Sequence, residues 1–195
     1  GVDVSEFNSM IGNAKITKYD LPDVQRELDK ITTALKAFLE NSHTIEFEEK
    51  LLGALYVFNN KNFPVPDYKY QLKRGEIDEN RYGAQKEKEF LPIFNKLVKQ
   101  YGIKLKQDKS DTFLDQWYSE HIRNEIDFVY KQINKIKSPD TKQIISIILS
   151  RTIRSCRATT HSDLATLLEP ITATYYCVKH GKICKPLFSV LKWWQ

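Results

Sequence analysis

Seven glycines and seven prolines in 195 residues are too few for a collagen-like or proline-rich linker chain. The longest apolar stretches, such as Ile144 to Leu149, fall far short of the ~20 residues of a membrane span. The opening residues lack the basic and then apolar pattern of a signal peptide, since Asp3 and Glu6 stand there. Position 1 is Gly rather than Met, so a processed or tagged product, or a piece of something larger, is expected. Cysteine is scarce and odd in number, three in all, which argues against a complete disulfide framework and for a reduced, cytoplasmic chain. What is abundant is ordinary globular material. Hydrophobic residues make up 41% and aromatics 12%, enough for a real core. The 28% of charged residues excludes disorder as a description of the whole.

Positive charge is unevenly placed. From Arg151 to the end, seven bases face two acids, whereas residues 1–150 hold 23 of each. The entire net charge of +5 thus falls in the last 45 residues. Localised positive charge points to phosphate, hence to nucleic acid or anionic lipid. A solvated basic face is the plainer alternative.

The apolar periodicity is mostly helical. Residues 1–4 read as the end of a strand, and 1–18 as the remnant of an α/β domain. Asp20 then suits an N-cap, with Pro22 in the first turn. Leu21, Val24, Leu28, Ile31, Leu35, Phe38 and Leu39 follow helical spacing. A second helix is expected from Thr44 to Phe58, and a third from Ala84 to Tyr101, stopped by Gly102. Between them, 59–83 carries Pro64, Pro66, Gly75 and many charges and reads as an extended arm. Ser110 or Asp111 is expected to cap a helix carrying Phe113, Trp117, Ile122, Ile126, Val129 and Ile133. Ser138-Pro139-Asp140 opens another that runs towards Cys156. Residues 175–184 combine β-type residues with a glycine turn and read as a hairpin or knuckle. The expected fold is therefore mainly α, a helical bundle over 19–150 with a small, basic Cys/His module over 151–195.

All three cysteines and two of the four histidines lie between Cys156 and Cys184. Zinc takes four thiolate or imidazole ligands in a tetrahedron. Cys177-x2-His180 is a tight ligand pair, and Gly181 beside it allows the positive φ of a chain curling over a metal. Cys184 and Cys156 complete an expected structural Cys3His site, with His161 as a rival for the fourth place. Three buried apolar cysteines and two surface histidines would account for the same letters.

Arg151, Arg154 and Arg157 recur at intervals of three, as do Lys179, Lys182 and Lys185. Arginine's planar fork suits both phosphate and guanine. These six are the expected DNA contacts, although one or two of the arginines would also serve a helix C-terminus.

Gly1-Val2-Asp3-Val4-Ser5 resembles the segment after the cofactor loop of bacterial DNA methyltransferases that use S-adenosylmethionine and modify exocyclic amines. Ser150 to Cys156, His161-Ser162-Asp163-Leu164, Tyr176 to His180 and Cys184-Lys185-Pro186 are similar to a later part of that family. Trp117-Tyr118 and Ile122-Arg123-Asn124-Glu125 match more loosely. The resemblance implies that Asp3 binds the ribose hydroxyls of the cofactor. The family's DPFxGSGT loop and its [DNST]-PP-[YFW] tetrapeptide are both absent from these residues. The resemblance thus implies a target-recognition region between the two motifs, for adenine-N6 or cytosine-N4 methylation in a restriction-modification type system. Such a region is not catalytic alone, and its partners would be double-stranded DNA and the remainder of the enzyme, with no membrane. The rival expectation is a freestanding zinc-dependent DNA-binding or scaffolding protein. A nuclease reading of Pro22-Asp23 with Glu48-x-Lys50 founders on their helical setting, because that chemistry gathers Mg2+ on adjacent strands.

Overall fold

The computed structural model describes residues 5–40, 42–161 and 167–195. Helices α1 (Glu6–Ile16), α2 (Leu21–Glu40), α3 (Thr44–Asn62), α4 (Asp67–Lys73) and α5 (Glu79–Gln100) come first. Then follow α6 (Phe113–Trp117), α7 (Glu120–Ile133) and α8 (Pro139–Arg154). A hairpin of β1 (Tyr175–Cys177) and β2 (Lys182–Cys184) precedes the terminal helix α9 (Val190–Trp194). The chain is mainly helical, as its periodicity requires. Residues 1–4, and with them Asp3, lie outside the described residues, as does 162–166.

Local chemistry sets several boundaries. Asp20 Oδ1 accepts the Asp23 N–H at the start of α2, and Ser138 Oγ accepts the Thr141 N–H at the start of α8. After α5 the chain turns at Gly102, whose φ is +62°. The single helix expected from Ser110 or Asp111 is in fact two. Thr112 caps α6 through a reciprocal capping box with Asp115, and Ser119, extended and fully buried, separates α6 from α7.

Two apolar clusters form the interior. In the first, Ile31 and Leu35 of α2 meet Ile122 and Val129 of α7, Ile145 of α8, and Val190 and Trp194 of α9. The second gathers Phe47, Leu51 and Leu55 of α3, Phe90 and Phe94 of α5, and Ile183 of β2. Leu105 packs against both clusters.

The extended arm expected over 59–83 is folded instead. It supplies the last turn of α3, all of α4 and the start of α5. Phe63 and Tyr68 are buried and pack edge to face, and Phe63 also meets Tyr176 of β1. The prolines and charges that suggested an arm occupy the outer surface of this short helical passage.

Two strands cannot stand alone in water, and this hairpin does not. Its outer edges are closed by side chains. Asn59 of α3 donates from Nδ2 to the Ile183 carbonyl at 2.9 Å and accepts the Ile183 N–H at 3.0 Å. On the other edge, Glu87 of α5 accepts the Tyr176 N–H at 2.8 Å. The paired residues Tyr176 and Ile183 face α3 and α5. By strand alternation, Tyr175, Cys177 and Cys184 face the other way, against Ile171.

Candidate metal centre and basic face

The turn after β1 is tight. His180 and Gly181 both donate their N–H groups to the Cys177 carbonyl, at 3.1 and 2.7 Å, and Gly181 has a φ of +60°. That curl carries the His180 ring back over the strand. Its Nδ1 lies 3.6 Å from Cys177 Sγ and 3.4 Å from Cys184 Sγ. A fourth donor arrives from a distant segment. Ala158 donates to the Trp117 carbonyl and accepts from the Ile171 N–H, which pins the chain leaving α8 against the bundle. Three residues on, the His161 N–H donates to the Tyr175 hydroxyl at 2.8 Å. His161 Nδ1 then lies 3.7 Å from Cys177 Sγ, and its ring meets that of His180 at a centroid distance of 4.5 Å. One donor atom from each of His161, Cys177, His180 and Cys184 lies within 4.8 Å of all the others. Burial, and then the neighbouring Cys177, push the Cys184 thiol up to about 12. Burial, with the charge of His180 second, holds His161 below its ordinary value.

Cys156, expected as the third thiolate ligand, is elsewhere. It is fully buried in the first cluster and directs its Sγ to the carbonyls of Thr152 and Ser189, at 3.5 and 3.8 Å. The reason lies in the pattern of α8. Ile145, Leu149 and Thr152 are buried at helical spacing, and Cys156 continues that stripe into the core.

The six expected DNA contacts also divide. Arg151 and Arg154 are exposed on the last turn of α8, and Lys179 and Lys182 are exposed on the hairpin. Arg157 is half-buried, and its Nε donates to the Arg154 carbonyl at 3.3 Å. Lys185 is no surface contact. It is 3% exposed, forms an ion pair with Glu48 of α3, and donates to the Leu187 carbonyl at 3.0 Å. Burial lowers its pKa. Glu48 also accepts the Ser189 N–H, while Glu125 of α7 accepts from Ser189 Oγ and the Val190 N–H. Glu48 and Glu125 thus fix the path from the hairpin into α9. Nothing in their helical stripes marks them in advance, because their partners are more than sixty residues away.

Two clefts meet over this ground. The larger, about 600 Å³, lies between α3 and the hairpin and is lined by Tyr56, Asn60, His180, Lys182 and Lys192 among others. The smaller, about 160 Å³, is lined by Arg154, Arg157, Thr160 and Trp193 among others. His161, Lys185 and Phe188 line both. Arg151 and Lys179 line neither cleft, whereas Arg154 and Arg157 on the smaller and Lys182 and Lys192 on the larger border one shared face. Aromatic groups lie within it, and the Phe188 ring is capped by the Lys185 and Lys192 ammonium groups at 4.3 and 4.5 Å.

No family model and no solved structure matches the chain. The chain is 37% identical over 199 aligned positions to the Type II methyltransferase M.MjaII of Methanocaldococcus jannaschii. The alignment takes in 98% of this chain and 37% of that protein, so the chain spans little more than a third of the relative's length. That relative is archaeal, whereas the sequence motifs had pointed to bacterial enzymes.

Proposed function

We propose that this chain is the target-recognition region of an S-adenosylmethionine-dependent DNA methyltransferase, acting on adenine N6 or cytosine N4 in a restriction-modification type system. The observation that carries the reading is the basic and aromatic face where the two clefts meet, bordered by Arg154, Arg157, Lys182 and Lys192. The similarity to a Type II methyltransferase supports the same reading. Phosphate contacts position a protein on a duplex, and arginine forks read guanine edges in the major groove. In this reading Lys179, Lys182 and Lys192 hold backbone phosphates, and Arg151, Arg154 and Arg157 stand nearest the bases. Lys185 drops out of the contact set because it is buried against Glu48.

Neither the DPFxGSGT loop nor the PP-type tetrapeptide occurs in these residues. The methyl donor and the chemistry therefore belong, in this reading, to the rest of a cytoplasmic parent enzyme, with Asp3 contributing to the cofactor's ribose site. A metal held by the hairpin would be structural. Charge reversal tests the face. Arg154→Glu combined with Lys182→Glu should abolish duplex binding in a filter or anisotropy assay, while Lys73→Glu with Arg74→Glu, on α4 and its cap, should leave it nearly intact. The opposite ranking would move the contact surface to α4 and overturn the assignment.

A further inference from the structure

We propose that His161, Cys177, His180 and Cys184 together bind one zinc ion, in a closed Cys2His2 site that ties the segment after α8 to the hairpin. The site stands independently of what the parent protein does.

The spacing of the donors is that of a coordination tetrahedron. Zn–S bonds of about 2.3 Å and Zn–N bonds of about 2.0–2.1 Å, at tetrahedral angles, put sulfur and nitrogen about 3.6 Å apart along each edge. Of the four S···N edges, three measure 3.4, 3.6 and 3.7 Å, and Cys184 and His161 present donor atoms within 4.8 Å of each other. Two thiols and two imidazoles select a borderline-soft ion, and exclude Mg2+ and Ca2+, which require oxygen ligands.

The backbone is shaped for the same task. Cys177 and His180 are presented by a turn whose two N–H groups close on the Cys177 carbonyl, with Gly181 in the left-handed region. The Tyr175 hydroxyl accepts the His161 N–H at 2.8 Å and also stands 2.9 Å from His161 Nδ1. It therefore holds this histidine beside the hairpin, as outer support orients a metal ligand, and its contact with Nδ1 would give way to the ion. Four protein ligands leave no position for water, so the ion would hold structure and would not activate a nucleophile.

The fold also has use for a cross-link here. Among the described residues, the buried apolar residues on this face of the hairpin are Tyr175, Cys177 and Cys184, with Ile171 packed against them, a small cluster to anchor an irregular segment. His161 borders both clefts. An ion binding it to the hairpin fixes the Arg154–Arg157 side of the basic face relative to the Lys182 side.

The test is elemental analysis and cobalt substitution on the full 195-residue chain, purified reduced and without added metal. About one equivalent of zinc per chain is expected. Cobalt exchanged into the unsubstituted chain should give the strong visible absorption of a tetrahedral site with two thiolates. His161→Ala and Cys184→Ser should each lose the metal, whereas Cys156→Ala should keep it. A zinc-free protein that gives no such cobalt spectrum would overturn the proposal. So would zinc that survives His161→Ala but is lost in Cys156→Ala, or a Cys177–Cys184 disulfide in the freshly purified chain. The cobalt spectrum requires no variant, so a substitution that fails to fold does not shield the proposal.

Discussion

Gly83 on α5 lies directly against the ring of Tyr176 on β1. A Cβ built on Gly83 would stand 2.5 Å from the Tyr176 Cγ and 2.8 Å from its Cε1, far inside contact distance. Tyr176 cannot easily retreat, because its hydroxyl is bonded to Tyr68 and Glu79, at 2.9 Å each. In an unencumbered helix Gly→Ala gains about 1 kcal/mol. Here Gly83→Ala is expected to cost ~1–3 kcal/mol through overpacking. Urea denaturation measures it, and a midpoint at or above that of the unsubstituted chain would refute the close docking of hairpin on helix.

Lys185 and Glu48 form an ion pair with side chains only 2% and 12% exposed. Removing Lys185 leaves the buried Glu48 charge with the Ser189 N–H but no opposite charge. Lys185→Met should therefore lower stability by about 3–5 kcal/mol. Adding Glu48→Leu should recover part of that loss, because the stranded charge is gone. Thermal melts of the single and double variants check both outcomes. If Lys185→Met melts normally yet binds DNA poorly, Lys185 is a surface contact after all.

Glu125 gives the fold a pH dependence of definite sign. Burial, opposed by the Ser189 and Val190 donors, raises its pKa from 4.5 to about 7. Between those values the folded chain holds more of this proton than the unfolded chain does. The contribution is therefore complete below about pH 4.5 and is lost as pH rises through 7, by at most ~1.4 kcal/mol per unit. His121, which burial lowers to about 4, contributes the opposite slope at acid pH, so the informative quantity is a difference. Glu125→Gln should gain on the unsubstituted chain in urea midpoint on going from pH 4.5 to pH 7.5. An unchanged difference would show that Glu125 is ionised throughout.

Where local chemistry decides the structure, the sequence is a good guide. Asp20, Ser138-Pro139, Gly102 and the turn at Gly181 act through neighbours within a few residues. Where a distant partner decides, it is not. Residues 59–83 look like solvent-exposed chain until Tyr176 arrives to cover Phe63 and Tyr68. Thr112 displaces Ser110 and Asp111 as a cap because Asp115 can close the box with it. The same distinction governs the candidate metal centre. The turn pair Cys177 and His180 was legible from its spacing. The alternatives left open by the spacing were His161 and His180, and the structure brings both to the cluster, while Cys156 falls away from it as the continuation of the buried stripe Ile145, Leu149, Thr152. Lys185 sits in the same three-residue rhythm as Lys179 and Lys182, but only Glu48, far away on α3, draws it inward.

The most direct measurement of the proposed DNA role is the salt dependence of duplex binding by this chain. Anisotropy titrations across a salt series should show the logarithm of the association constant falling linearly with the logarithm of salt, with ~0.9 units of slope per phosphate neutralised. Lys182→Ala should reduce that slope by about one counterion and weaken all sequences alike. Arg154→Ala should cost ~1–3 kcal/mol on the correct sequence only. A slope near zero, or one that neither substitution alters, would contradict the assignment of the basic face to DNA.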